Sequence, residues 1–392
     1  MTNRVYVMTF LLMLALAAFA PAQTFTVLHN FTGGSDGWGP YAGLIQDPAG
    51  DLYGTTSLGG DPNCTPGYGY GCGVVFKLDT AGTETVLHTF WGSDGTNPVA
   101  PVLRDKAGNI YGTTSYGGSS GYGTVFKIDT AGTETVLYSF TGGPDGCYPY
   151  QGVVVDKSGT VFLTTPECGS SGYGTIFKIE SGGNFARLHS FAGGRSDGAY
   201  PWYGHLTMDK AGNLYGLTSG GGASGNGVLY ELSDSGTFTV LHSFAGGTSD
   251  GCAPNGSVVQ DKAGNFYGTT SFCGSNKYGT IWKVSKTGKE TVLHNFAGGT
   301  SDGCNPAAGV ARDSNGNLYG VTYGCGANGG GALYELSAKG TFTLLHSFGG
   351  SDGSSFPTGE VLRSAKGVLF GTTAGYLSYT GCDCGSVWSY AP

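Results

Sequence analysis

An all-β fold, specifically a closed seven-bladed propeller of four-stranded blades, is what this sequence predicts, and three observations carry the prediction. The motif L-[HY]-x-F occurs seven times, at Leu28–Phe31, Leu87–Phe90, Leu137–Phe140, Leu188–Phe191, Leu241–Phe244, Leu293–Phe296 and Leu345–Phe348. Successive Phe residues lie 59, 50, 51, 53, 52 and 52 apart, a period at which four-stranded propeller blades fall. The chain also splits one unit between its ends: TFTVLHNF near the start is an isolated fourth strand, and GSVWSY at the end is an isolated third strand. A linear array has no use for that split, whereas a ring closes by it.

Each unit holds four strand-like runs. Strand a ends in Asp: Asp47, Asp105, Asp156, Asp209, Asp261 and Asp313, with Ser364 in the last copy. Strand b reads NLYGTT, strand c GTVFKL and strand d TETVLHSF, all rich in the β-branched and aromatic residues that suit a pleated, half-buried surface. DKAGN joins a to b and DTAGT joins c to d, each with the Asp and Gly that tight reversals need. Strand direction alternates, so these short, uniform turns share one plain face. The Gly-rich b–c loops and the d–a loops (GGSDG…P) vary in length and chemistry and share the other face, where a binding site is expected.

Composition agrees. Of 392 residues 75 are Gly, but aromatics reach 13%, too many for a disordered chain. A formal charge of -8 and the lack of a basic run argue against a nucleic-acid partner. Arg4, the apolar run from Val5 to Ala18 and Ala20-Pro21-Ala22 read as a signal peptide over residues 1–22, cleaved before Gln23. The run is shorter than the roughly 20 residues of a membrane span. Residues 23–392 are then expected to form a single propeller domain, secreted or periplasmic, with no membrane span or anchor.

Repeats of the form DxxGNLYGTT…YGTVFKLDxxGTETVLHSF, covering nearly all of residues 24–392, resemble the GloVer-type tandem repeat of exported bacterial proteins. The resemblance implies a bacterial exported β-propeller and no particular activity. The strand pattern is similar also to NHL-type propellers, a likeness of fold alone.

Cysteine carries the strongest chemical signal. Cys147, Cys252 and Cys304 each follow an Asp-Gly pair, and each has a counterpart 21 residues later, Cys168, Cys273 and Cys325. Blades lacking the first also lack the second, so three intrablade disulfides are expected of an exported protein. Cys64 and Cys72 are expected to close the long b–c loop of blade 1. Cys382 and Cys384 are too close for an unstrained ring, and pairing with Cys64 and Cys72 across the seam is the alternative.

The recurrent polar residues read as scaffold. His29, His88, His189, His242, His294 and His346 share one strand d position, filled once by Tyr138, and are expected to hold blades together. The Asp-Gly pairs at Asp36, Asp94, Asp145, Asp197, Asp250, Asp302 and Asp352 are turn formers. No metal is expected from them, since a hard-cation site needs several oxygens converging in one loop. No cofactor is expected either, because the Gly-rich loops lack the Lys and helix of a phosphate cradle.

Departures from the repeat are more informative. His205 and Glu360 stand near the start of strand a in blades 4 and 7, where other blades carry small residues such as Gly43, Pro101, Gly152, Ser257 and Gly309. Both are expected at the channel mouth as an acid–base candidate, but on nearly opposite blades and therefore out of contact. The d–a loops of one arc carry Trp38, Tyr41, Trp91, Tyr148, Tyr150, Tyr200, Trp202 and Tyr203. These either form a binding surface for a polysaccharide or a surface protein, or fold over and cover the blade tops. Non-enzymatic binding is the leading expectation. A hydrolase or lyase acting on a carbohydrate or lactone through His205 or Glu360 is the alternative, and a purely structural envelope protein a third.

Overall fold

A computed structural model describes residues 23–64, 70–202, 204–349, 355–378 and 381–392, without the side chains of 376–378, 381 and 382. The expected signal peptide, Tyr203 and Asp352 lie outside the described residues. Every helix or strand among those residues is a β-strand. They form seven antiparallel sheets of the a–b–c–d order, each built like blade 2: Leu103–Arg104, Ile110–Thr114, Thr124–Ile128 and Glu134–Ser139. The architecture is a seven-bladed β-propeller.

Blade 7 consists of Leu362–Arg363, Leu369–Thr373 and Ser386–Ala391 with Thr24–Asn30 from the other end of the chain as its strand d. That strand pairs with strand c from Thr24↔Ala391 to Asn30↔Ser386, with a register shift between Val27 and His29. The same shift recurs in all seven c–d pairs. It explains the leucine of L-[HY]-x-F: this is the extra residue of a β-bulge, which turns the following His or Tyr toward the neighbouring blade. The N-terminal strand is thus a full member of the repeat.

Packing follows from the strand sequences. The c-strand rings Phe76, Phe126, Phe177, Tyr230, Trp282, Tyr334 and Trp388 are fully buried. Glycine faces six of them in strand b, where a Cβ on Gly268 would lie 2.5 Å from the Trp282 ring, and blade 3 instead sets Leu163 opposite Phe177. The first Thr of strand b ties blade to blade, Thr113 Oγ1 donating to Gln151 O (2.9 Å) and Thr372 Oγ1 to Ala42 O (2.8 Å) across the closure. The Asp ending strand a organises the plain-face turn. Asp261 Oδ1 accepts from the N–H groups of Ala263 and Asn265, and Oδ2 from Asn265 Nδ2 and Tyr267 Oη. Desolvation opposes ionisation there, but these donors, Asn265 first, bring the Asp261 carboxyl down to about 2.

The strand d position does join blades. His346 stacks on Phe25 at 3.8 Å, His189 on Phe238 at 4.1 Å, His294 on Phe342 at 4.2 Å and Tyr138 on Phe185 at 4.7 Å. Side chains at this position also reach the Asp of the following Asp-Gly pair: His88 Nε2 to Asp94 at 2.9 Å, His189 Nε2 to Asp197 at 3.1 Å, Tyr138 Oη to Asp145 at 3.1 Å. Those Asp residues also cap their own loops, as in Thr141 N–H to Asp145 (2.8 Å).

Disulfides join Cys147–Cys168, Cys252–Cys273, Cys304–Cys325 and Cys64–Cys72. The alternative pairing of Cys64 and Cys72 across the 7–1 seam is therefore not adopted, because the two face each other within one loop with Cα atoms 5.6 Å apart. Cys384 is also disulfide-bonded.

Candidate functional site

The variable face is shaped by one recurring device. In each d–a loop the residue before a conserved-in-repeat proline takes a positive φ: Gly39, Asn97, Tyr148, Tyr200, Ala253, Asn305 and Phe356. Its N–H donates to a carbonyl of the preceding b–c loop, as in Tyr148 to Tyr122 O (2.9 Å) and Tyr200 to Tyr173 O (3.0 Å). Glycine adopts this backbone freely, as blade 1 does, whereas a bulky side chain there costs on the order of 1–3 kcal/mol. Blades 3, 4 and 7 nevertheless place Tyr148, Tyr200 and Phe356 there, which aims rings from the strained positions at the top of the ring.

On blades 2 to 4 these rings meet in a continuous run. Tyr122 contacts Tyr148 (5.5 Å) and Tyr148 contacts Tyr116 (5.1 Å). Tyr116 and Tyr150 share a hydroxyl hydrogen bond of 2.6 Å, Tyr150 contacts Trp202 (5.6 Å), Trp202 stacks on Tyr200 (6.3 Å), and Tyr200 meets Tyr173 (5.3 Å). Two hollows adjoin the run. One, of about 430 Å³, lies between Trp202, Phe272 and Tyr323 over Pro254 and Pro306. The other, of about 400 Å³, is central and is bounded by Tyr41, Tyr150, Tyr323 and Thr358. They share Asn255, Ala307 and Tyr323, so the face offers flat apolar walls with amide and hydroxyl groups at the base.

The expected aromatics are distributed unequally over this surface. Tyr41, Tyr148, Tyr150, Tyr200 and Trp202 belong to it. Trp38 does not: at 8% exposure it lies in the core beside Phe31 and Cys384, its backbone bridged to Leu58. Trp91, 61% exposed, borders neither hollow. Tyr116, Phe272 and Tyr323 escaped the sequence reading because they sit at the ends of strand b, not in the d–a loops. Variability within the repeat marks them: Tyr116 and Phe272 align with Leu58, Glu167 and Gly220, and Tyr323 stands where four of the other blades carry Ser57, Ser115, Ser219 and Ser271.

Below the central hollow the channel narrows to a polar knot. The expectation that His205 and Glu360 stay apart is corrected: His205 Nδ1 lies 3.9 Å from Glu360 Oε2. Ser257 of blade 5 joins them, its Oγ 2.8 Å from His205 Nδ1 and 2.7 Å from the His205 N–H, and its own N–H donating to Glu360 Oε1 at 2.5 Å. The throat is this tight because glycines line it. A Cβ on Gly309 would lie 2.4 Å from Ser257 O, and one on Gly43 3.0 Å from Glu360 O. Beneath it a channel of about 660 Å³ runs along the a strands, with His205 and Glu360 at its head. Both contacts of the imidazole run through Nδ1, whereas a Ser–His–carboxylate relay needs serine and acid on opposite ring nitrogens. The trio closes the throat and presents one carboxylate and one imidazole to whatever occupies it.

The model of the Gloeobacter/Verrucomicrobia repeat matches residues 64–261 and 247–392. No curated protein matches the chain in sequence. Among solved structures, a protein described as the extracellular domain of hybrid two-component system BT3049 of B. thetaiotaomicron is similar over 94% of this chain and 41% of its own, at 14% identity and a TM-score of 0.54. Puromycin hydrolase is similar over 87% of this chain and 53% of its own, at 11% identity and a TM-score of 0.52. A protein described as a 6-phosphogluconolactonase of Bacteroides uniformis aligns over 76% of this chain and 84% of its own, at 14% identity and a TM-score of 0.49. At these identities the likeness is one of fold. No helix among the described residues is long and apolar enough to cross a membrane. The seven tandem blades and the two family matches spanning residues 64–392 place this chain in the Gloeobacter/Verrucomicrobia repeat family.

Proposed function

We propose that this is an exported binding protein whose variable face takes up a polysaccharide, without catalysis. The run of seven aromatic rings from Tyr122 to Tyr173, opening on hollows that share Asn255 and Tyr323, is the observation that carries the reading. Sugar rings present flat C–H faces that stack on aromatics and rims of hydroxyls that need donors and acceptors, and this face supplies both. Affinity electrophoresis against a panel of acidic and neutral polysaccharides tests it. Trp202→Ala and Tyr150→Ala should abolish the retardation that the wild type shows. Equal retardation of all three proteins removes the aromatic surface as the site. If a protein of the cell surface is captured instead and no polysaccharide is retained, the partner class is wrong.

Export accounts for the disulfides, which persist outside the reducing cytoplasm. On this reading residues 1–22 are removed and 23–392 act as one domain. Mass spectrometry of protein recovered outside the cytoplasm should show Gln23 at the N-terminus, and an intact Met1 contradicts cleavage.

A second reading, an enzyme cleaving a carbohydrate or lactone at the throat, draws on the convergence of His205, Ser257 and Glu360. Any hydrolytic or lyase activity found should be lost in His205→Ala/Glu360→Ala, and survival of activity in that double variant excludes the assignment.

A further inference from the structure

The seven seams between d strands fall into two kinds. At four of them the His or Tyr stacks on an aromatic of the next blade, Phe25, Phe185, Phe238 or Phe342. At the other three the equivalent residue is an acid, Glu84, Glu134 or Glu290. A carboxylate there faces the Asp already paired with the histidine, so two acids and one imidazole share a largely buried seam.

The 4–5 seam is the sharpest case. His242 Nε2 lies 3.8 Å from Asp250 Oδ2 and 3.9 Å from Glu290 Oε2, and one ligand atom from each residue falls within 4.8 Å of the others. The other ring nitrogen, Nδ1, is 3.3 Å from the Gly288 carbonyl, which can only accept, so Nδ1 carries the hydrogen. In the neutral ring, Nε2 then points a lone pair at two carboxylates. Nε2 and Glu290 Oε1 are buried with no hydrogen-bond partner. Asp250 is itself held in place by the N–H groups of Ala245 (2.5 Å) and Gly251 (2.6 Å). Three convergent acceptors, two orphaned atoms and an outer set of backbone partners are what a cation site looks like without its cation.

We propose that His242, Asp250 and Glu290 bind a divalent first-row cation of the Zn²⁺ class, which links blade 4 to blade 5. Two ligands each about 2.1 Å from a common tetrahedral ion lie about 3.4 Å apart, so the 3.8 and 3.9 Å separations found here close onto an ion with side-chain shifts of about half an ångström. Two carboxylates balance the ion's charge, one imidazole supplies the nitrogen that separates Zn²⁺ from hard cations, and water completes the set. The 1–2 seam has the same residues, His88, Asp94 and Glu134, within the same span, but there Nε2 already bonds Asp94 at 2.9 Å. No single loop supplies these ligands. Here they come from strand d, the loop after it, and strand d of the next blade.

A proton is the competing occupant, since burial and the neighbouring Asp250 charge push the Glu290 carboxyl up to about 8 when no ion is present. The full-length protein, stripped with EDTA and equilibrated with Zn²⁺ at pH 7.5, separates the two. Metal content after gel filtration and Tm with and without Zn²⁺ are the readouts. The wild type should retain Zn²⁺ and melt higher with it. Glu290→Phe, which installs the residue found at the four aromatic seams, should fold, retain one equivalent fewer and lose that part of the Zn²⁺-dependent rise. If Glu290→Phe does not fold, Glu290→Gln and His242→Asn serve in its place, each again one equivalent short. Equal Zn²⁺ content in wild type and variants, or a wild-type Tm indifferent to Zn²⁺, overturns the site and leaves the proton as occupant.

Discussion

Replacing Phe25 by Ala tests whether the N-terminal strand is a structural member of the ring or a tail laid against it. Phe25 stacks on His346 at 3.8 Å with the planes 1° apart, meets Phe348 edge-on at 5.7 Å and lies tilted against Trp388 at 5.9 Å. Fully buried Phe→Ala changes cost about 3–5 kcal/mol, and a half-buried ring in such a stack should cost about 2–3 kcal/mol. With an unfolding entropy near 2.1 cal/mol/K per residue, a chain of this length should melt about 3 °C lower. The molecule contains its own controls. Phe238 and Phe342 occupy the same strand position and stack on His189 and His294 at 4.1 and 4.2 Å. Urea titration of Phe25→Ala, Phe238→Ala and Phe342→Ala should therefore give three similar losses. A loss under about 0.5 kcal/mol at Phe25, the scale of an ordinary surface change, beside normal losses at the other two would refute closure by the N-terminal strand.

Three further outcomes are expected. Cys147→Ser/Cys168→Ser opens a 21-residue loop and should cost about 3 kcal/mol on the loop-entropy estimate, read by urea titration under non-reducing conditions; no change would mean the bond is not formed in solution. Gly309→Ala puts a Cβ 2.4 Å from Ser257 O, and such overpacking should lower stability by about 1–3 kcal/mol, whereas a neutral effect would mean the throat is wider than described. Burial and then the Asp36 charge push the Glu84 carboxyl from 4.5 to about 7. The folded state thus holds that proton more tightly than the unfolded chain, so its contribution is complete below pH 4.5 and is lost as pH rises through 7. Glu84→Gln should flatten the fall in Tm between pH 5 and 8, and parallel wild-type and variant curves would contradict the shift.

The repeat made most of the fold legible because each blade solves the same packing problem with the same residues. A glycine facing a c-strand ring, a leucine that bulges and an Asp that caps its turn each leave a mark every 52 residues or so. Cysteine pairs 21 apart were legible for the same reason, since each belongs to one blade. Contacts between blades were not. Counting blades places His205 and Glu360 far apart, but the width of the throat depends on backbone approach at Gly43, Gly309 and their neighbours, and Ser257 looked like one more small residue. Trp38 read as a surface aromatic because its loop is on the variable face, yet its backbone pairing with Leu58 turns the ring inward. Tyr116, Phe272 and Tyr323 extend the aromatic face beyond the d–a loops through the ends of strand b.

Tryptophan fluorescence reports on the proposed face directly. Trp38, Trp282 and Trp388 are buried, Trp91 is exposed away from both hollows, and Trp202 borders one of them within the aromatic run. Titration with a polysaccharide retained in affinity electrophoresis should change the emission of the wild type and of Trp91→Phe, and leave Trp202→Phe without that saturable change. A change that persists in Trp202→Phe and vanishes in Trp91→Phe would put the ligand elsewhere and contradict the aromatic face as the binding site.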